Sequence, residues 1–178
     1  MIIIKPLTIM AVKPTPPTPS IPSVTIGNQI WSTVYVDPTI SGVQSTHTET
    51  LHGQTIHYYT YSQLENVTFP DGWRLPLYDD CTTLSTYFKS NNKDASSIIS
   101  TLDGGTDEYG LNLYLTGYWK RSSINNNTRA YLTIAPYTDS YMYAISYELG
   151  NNSLVKNVIL SYNLNVTASP FRLIKVVT

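Results

Sequence analysis

Six of the eleven prolines fall within the first 22 residues: Pro6, Pro14, Pro16, Pro17, Pro19 and Pro22. Proline fixes φ and carries no amide donor, which excludes this stretch from helices and central strands. Lys13-Pro14-Thr15-Pro16-Pro17-Thr18-Pro19 reads instead as a polyproline-II spacer, a form in which nine residues extend about 28 Å at ~3.1 Å each. Ahead of it stand Ile2, Ile3, Ile4, Leu7, Ile9 and Met10. Apolar residues on so stiff a leash do not reach back into a core of their own. They are expected to anchor the chain by adding a strand to a partner's sheet or filling its groove, the plainer alternative being a frayed end. Residues 1–22 are thus expected to form an extended tail and residues 23–178 a folded domain.

The folded part is poor in charge. Charged residues make up 13% of the 178, about half the ~25% of an average soluble domain, and the net charge is −1. That balance excludes an electrostatic nucleic-acid binder. Tyrosine supplies 15 of the aromatic residues, and its polar tip suits half-buried strands and contact surfaces. The single cysteine, Cys81, excludes an internal disulfide, a cysteine zinc site and a redox pair. No apolar run approaches the ~20 residues of a membrane span. Met1-Ile2-Ile3-Ile4 is broken by Lys5 and Pro6 and lacks the layout of a signal peptide, so an unprocessed chain made in the cytoplasm is expected.

From Val24 the pattern is that of a domain. Val24–Ile26 and Ile30–Val36 read as strands around a Gly27-Asn28 turn, residues 37–53 as a polar loop, and Thr55–Tyr61 as a further strand. Leu77, Cys81, Leu84 and Phe88 form one apolar face and predict a helix over 77–90, with Pro76 in its first turn and Asp79 and Asp80 at its positive end. Cys81 is then a buried, inert thiol. Asp94 is positioned to cap a short second helix over 94–99. Strands are expected near 112–119, 129–135, 140–148, 154–163 and 171–177, with a hairpin turn at Gly150-Asn151-Asn152.

Chemistry-bearing motifs are scarce. His47, His52 and His57 recur every five residues, a spacing that alternates faces in a strand, and they read as exposed loop histidines rather than metal ligands. Asp103–Glu108 reads as a turn rather than a calcium loop. There is no nucleophile elbow, phosphate loop or His-Glu-x-x-His, so neither a catalytic residue, a metal nor a cofactor is expected.

Two segments carry a family likeness: Val24-Thr25-Ile26-Gly27-Asn28-Gln29-Ile30-Trp31, and Asp71-Gly72-Trp73-Arg74-Leu75-Pro76. Gly105-Thr106-Asp107-Glu108-Tyr109-Gly110-Leu111 and then Gly117-Tyr118 follow them. Their order and spacing resemble the Fibrobacter succinogenes major paralogous domain, a family common in Bacteroidetes and their phages, over roughly residues 24–177. The chain departs from that family at Ser32–Tyr35, at Tyr131–Ile134 and at Leu173–Val176. The resemblance implies an α+β, C-type-lectin-like fold with one or two helices on antiparallel sheets. Trp31 and Trp73 are expected to be buried, and Arg74, between Trp73 and Leu75 in an extended piece, to point the opposite way from those two, either solvated or paired with Asp107 or Glu108.

The function expected from tail and likeness together is non-enzymatic. It is a virion protein of a tailed phage, a head fibre or capsid decoration, held to a capsid or other virion protein through residues 1–22. The lectin-like domain would be displayed for adhesion to a host-surface glycan or protein. A bacterial cell-surface adhesin or glycan-binding module is the alternative. Fibre analogy adds a homo-oligomer, with a trimer as the guess. Tyr137, Tyr141, Tyr143 and Tyr147 are the candidate ligand surface, although alternate tyrosines on strands also serve sheet packing.

Overall fold

The computed structural model describes residues 20–120, 123–125, 129–138, 141–148, 156–161 and 167–177. Its strands are β1 (Ser23–Ile26), β2 (Gln29–Ser32), β3 (His47–Leu51), β4 (Gln54–Tyr58), β5 (Tyr118–Lys120) and β6 (Ser123–Asn125). They continue with β7 (Arg129–Thr138), β8 (Tyr141–Glu148), β9 (Lys156–Ser161), β10 (Thr167–Ala168) and β11 (Ile174–Val176). The helices are α1 (Pro38–Ser41), α2 (Tyr61–Leu64) and α3 (Tyr78–Ser90). Among the described residues the strands group as β1-β2-β11, β10-β5-β6, β3-β4 and β7-β8-β9, each pairing antiparallel. The architecture is α+β, with few helices on antiparallel sheet.

The opening hairpin forms where the alternation places it, with Val24 opposite Trp31 across Gly27-Asn28. Ile26 and Trp31 are buried while Ser23 and Thr25 face solvent. β11 closes the other side of β2, setting Ile174 opposite Trp31. Arg74 extends the sheet beyond β11 through two backbone bonds, its N–H to Ile174 O at 3.0 Å and the Ile174 N–H to its own carbonyl at 2.9 Å. Burying Trp31 contributes roughly 2–3 kcal/mol.

Both quoted motifs meet at the first turn of α3. Gln29, 3% exposed, accepts the Trp31 indole N–H at 3.2 Å and donates to the Asp80 carbonyl at 2.9 Å. The Asp80 carboxylate grips Arg74 bidentately, at 2.6 and 2.8 Å, and accepts the Leu77 N–H at 2.6 Å. One aspartate therefore caps the helix and fixes the preceding extended piece. Arg74 pairs with Asp80, which neither of the two expectations, a solvated arginine or a pair with Asp107 or Glu108, had named. The near carboxylate, six residues along, satisfies it locally, and Glu108 bonds Lys93 instead.

Two apolar clusters fill the interior. The larger gathers Ile26, Trp31, Ile56, Tyr58, Cys81, Leu84, Phe88, Leu113 and others; the smaller holds Ile21, Val36, Tyr59, Leu64, Phe69, Leu75, Tyr131, Phe171 and Leu173. β7 runs between them. Ala130, Leu132 and Ile134 belong to the larger cluster and Tyr131 to the smaller, the strand's period of two serving both faces.

Several expectations change. The apolar face of α3 keeps Cys81, Leu84 and Phe88 fully buried, but Leu77 is 48% exposed. The helix starts one residue later than predicted, so Leu77 is the N-cap and Pro76 lies before the cap rather than in the first turn. The polar loop over 37–53 contains structure. Asp37 accepts the N–H groups of Thr39 and Ile40 at 2.8 and 3.0 Å and Pro38 starts α1, a pairing suited to a helix start. β3 then pairs with β4 around His52 (φ 50°) and Gly53 (φ 77°), two left-handed residues as a tight hairpin requires. The middle of β3 is exposed, so no hydrophobic alternation marks it.

The expected strand over 112–119 shrinks to Tyr118 onward, because backbone donors of the preceding stretch go to side chains. Asn112 N–H donates to Asp107 Oδ1 at 2.7 Å, Tyr114 N–H to Tyr35 Oη at 3.0 Å, and Leu115 N–H to Asp103 Oδ2 at 3.0 Å. The second helix is a single 3₁₀ turn, Ala95–Ser97, capped by Asp94 as expected. Strand 171–177 reduces to β11. Trp73, expected to be buried, is partly exposed. Gly150-Asn151-Asn152 lies outside the described residues.

Candidate functional site

Residues 95–117 are irregular chain apart from 3₁₀ turns at Ala95–Ser97 and Thr101–Asp103, and are pinned at several points. Gly105 is one of them. A Cβ there would lie 2.0 Å from the Ile99 carbonyl oxygen, so only glycine allows the approach. Asp103 is another, its carboxylate taking His52 Nε2 at 2.8 Å on one oxygen and the Leu115 N–H on the other. Arg172 secures the segment from beneath. Its guanidinium lies 3.8 Å from the centre of the Tyr35 ring and donates to the carbonyls of Ser32 at 3.2 Å and Asn112 at 2.6 Å. Burial pulls the Arg172 pKa down, opposed by Tyr35. Burial likewise pushes the Tyr35 phenol up, opposed by Arg172.

Among the described residues, one concavity lies between α2 and the chain from Val67 to Leu77. It is an open cleft of about 410 Å³, walled by Tyr61, Phe69 and Trp73, with Glu65, Thr68 and Arg74 supplying polar atoms. Its floor is the smaller apolar cluster. The Trp73 N–H bonds Pro70 O at 3.0 Å, and the next residue is tied into the β11 sheet, so this ring rides on fixed backbone. Burial raises the Tyr61 phenol pKa, with nearby Glu65 adding to the shift, which leaves a neutral donor at ordinary pH. A second open groove of about 380 Å³ runs along α3 beside the first hairpin, lined by Thr82, Thr83, Thr86, Tyr87 and Ser90 with Gly27 and Asn28. Two half-buried rings, Tyr61 and Trp73, with a few hydrogen-bonding groups suit a ring-bearing ligand.

Of the residues quoted for the family likeness, Trp73 and Arg74 line the first cleft. Ile2, Ile3, Ile4, Leu7, Ile9 and Met10 lie outside the described residues. Tyr137 falls on β7 and Tyr141, Tyr143 and Tyr147 on β8, with Tyr143 the register partner of Ile134 and Tyr147 that of Ala130; nothing is described of these four side chains. Two of the three histidines are strand rather than loop residues, and His52 is an exposed turn residue. His47 and His57 sit on β3 and β4 and His52 at the turn between them; His47 stacks on Trp119 with ring centres 5.4 Å apart. Among the described residues no group of three or more His, Cys, Asp or Glu converges to hold a metal ion. No described helix is long and apolar enough to cross a membrane. Cys81 is buried, and desolvation pushes its thiol well above the usual range.

Sequence reasoning missed Arg172 and the cleft residues Tyr61, Glu65 and Phe69. An arginine between Phe171 and Leu173 in an apolar run was the available signal for the first. The cleft residues came from segments read separately, and only the fold joins them. No protein-family model, curated protein or solved structure matches the chain.

Proposed function

We propose that the chain is a structural virion protein of a tailed bacteriophage, a head fibre or capsid decoration, without enzymatic activity of its own. Its tail anchors it to a capsid or other virion protein, and its C-type-lectin-like domain is displayed for adhesion. The observation that carries the reading is the proline-rich run Lys13–Pro19, which in sequence separates the apolar residues ahead of it from the domain. Ile2, Ile3, Ile4, Leu7, Ile9 and Met10 are the residues proposed to meet that partner. The lectin-like likeness is supported by the two motifs converging on Asp80, and by an irregular but firmly pinned 95–117 segment of the kind that presents a recognition surface.

Deletion of residues 2–12 tests the reading. The domain is expected to fold with unchanged thermal transition, while mass spectrometry of purified particles shows the protein missing. Incorporation at normal copy number would overturn the anchor, and recovery of the intact chain only from a bacterial envelope would overturn the virion role in favour of a surface adhesin. Light scattering of the full chain tests the trimer.

A further inference from the structure

We infer that the cleft between α2 and the chain from Val67 to Leu77 is a saccharide subsite, in which a neutral or amino pyranose ring lays its C–H face on Trp73 and offers its hydroxyls to Glu65, Tyr61 and Thr68. The inference rests on the adhesive reading above, and gives that adhesion a ligand class and a set of residues.

Three observations lead there. The first is a ring held ready. Trp31 is fully buried, but Trp73 keeps part of its surface open to the cleft. Its backbone is fixed on both sides: its own N–H bonds Pro70 O at 3.0 Å, and Arg74 exchanges two backbone bonds with Ile174. A platform built this way loses little freedom when a ligand covers it. The face of a pyranose that carries axial C–H groups is apolar and packs on the electron-rich face of an aromatic ring. Leu77, 48% exposed, widens the apolar surface beside the indole. The hollow of about 410 Å³ falls within the ~300–1,000 Å³ of small-molecule sites, and it is open enough for a saccharide chain to continue out of it.

The second is the mixture of polar groups. A sugar hydroxyl both donates and accepts, so it is served best where acceptors and donors stand together. Glu65 only accepts, while the hydroxyls of Tyr61 and Thr68 do both. Tyr61 and Glu65 are one helical turn apart, joined by the Glu65 N–H to Tyr61 O bond at 2.9 Å. Burial, and then the charge of Glu65, keeps the proton on the Tyr61 phenol, so acceptor and donor sit side by side.

The third is charge. Of the two charged residues described as lining the cleft, Arg74 is held bidentately by Asp80, while Glu65 is exposed and has no ion-pair partner among the described residues. The lining thus offers a carboxylate to a pair of hydroxyls or to an ammonium group, and its one guanidinium is already committed. A uronic or sialic acid would bring a second negative charge against Glu65, and the site selects against it.

Nuclear magnetic resonance of the full-length, isotope-labelled chain tests the inference, with methyl β-D-glucopyranoside, methyl β-D-galactopyranoside and glucosamine as probes. At least one of them is expected to move the Trp73 indole resonance while those of Trp31 and Trp119 stay in place. Saturation transfer should mark the C–H face of the bound sugar. Methyl β-D-glucuronide, the same ring as the glucoside with a carboxylate added, should bind about fivefold more weakly than the glucoside, or not at all. Trp73→Ala should abolish binding, but it also touches the smaller cluster, so Glu65→Gln and Tyr61→Phe, which keep shape and rings, carry the test. Each should weaken the neutral glycoside about fivefold, the loss of one hydrogen bond, and Glu65→Gln should also erase the discrimination against the glucuronide. Binding is expected to survive EDTA, since no contact named here passes through a cation. Shifts confined to another part of the domain would overturn the subsite and leave adhesion standing. No shift with any probe would overturn the subsite while particle incorporation still decides the virion role. Preference for the glucuronide, unchanged binding by Glu65→Gln, or loss of binding in EDTA would overturn it as well.

Discussion

The Arg172 guanidinium stacks on the Tyr35 ring at 3.8 Å, and the hydroxyl of that same ring accepts the Tyr114 N–H. The cation thus holds β2's exit, through Ser32, to the irregular segment, through Asn112, across a phenol that itself grips that segment. Arg172→Lys keeps a charge but cannot stack its head flat or fork to two carbonyls. A loss of about 3 kcal/mol is expected, the scale of breaking a buried charged network, read from urea unfolding with an unchanged m-value. A loss under about 1 kcal/mol would show that the stack is incidental.

Gly105→Ala places a methyl against the Ile99 carbonyl, a backbone atom with no freedom to swing aside. Destabilisation of about 3 kcal/mol or more is expected, measured by thermal unfolding. Gly53→Ala is the control: its neighbourhood is open, and it carries only the cost of a positive φ, about 1 kcal/mol.

Asp80 has two duties that substitution separates. Asp80→Asn retains an oxygen for the Leu77 N–H but loses the charge that holds Arg74, whereas Asp80→Ala loses both. Expected losses are about 1 and 2 kcal/mol respectively. Equal losses would mean that the bond to Leu77 contributes nothing, and an unchanged Asp80→Asn would mean that the ion pair contributes nothing.

Cys81 supplies a clock for opening of the core. Its thiol is buried and its pKa raised by desolvation, so a thiol reagent at pH 8 is expected to label it only as fast as the domain unfolds. The sign of the pH effect follows. The unfolded thiol, at its ordinary 9.0, releases its proton while the folded one retains it, so this group's contribution is complete below pH 9 and falls as the pH rises above it. Cys81→Ala should flatten that alkaline slope. Rapid labelling of the native protein would contradict the buried placement.

The α+β architecture, the opening hairpin and most of α3 were legible because their apolar spacing is local. β3 was not, since an exposed strand carries no alternation and its signal is the left-handed His52-Gly53 pair. The stretch from Leu111 to Gly117 looked like a strand because Leu111, Leu113 and Tyr114 are buried, yet three of its donors are captured by side chains, two from the turn just before it, Asp103 and Asp107, and one from the distant Tyr35. The partner of Arg74 was within six residues and was passed over for a glycine-rich turn. The cleft was invisible for a simpler reason: Tyr61 and Trp73 become neighbours only after α2 and the segment before α3 have folded onto one cluster.

β2 is completed on one side by its hairpin partner and on the other by Ile174–Val176, some 140 positions downstream. During synthesis Trp31 would therefore emerge long before the strand that covers it. The nascent domain would carry an unfinished, sticky sheet until nearly all of the described chain had left the ribosome, then close in one late step. Trimming a handful of residues beyond Leu173 should for that reason damage the beginning of the domain more than its end.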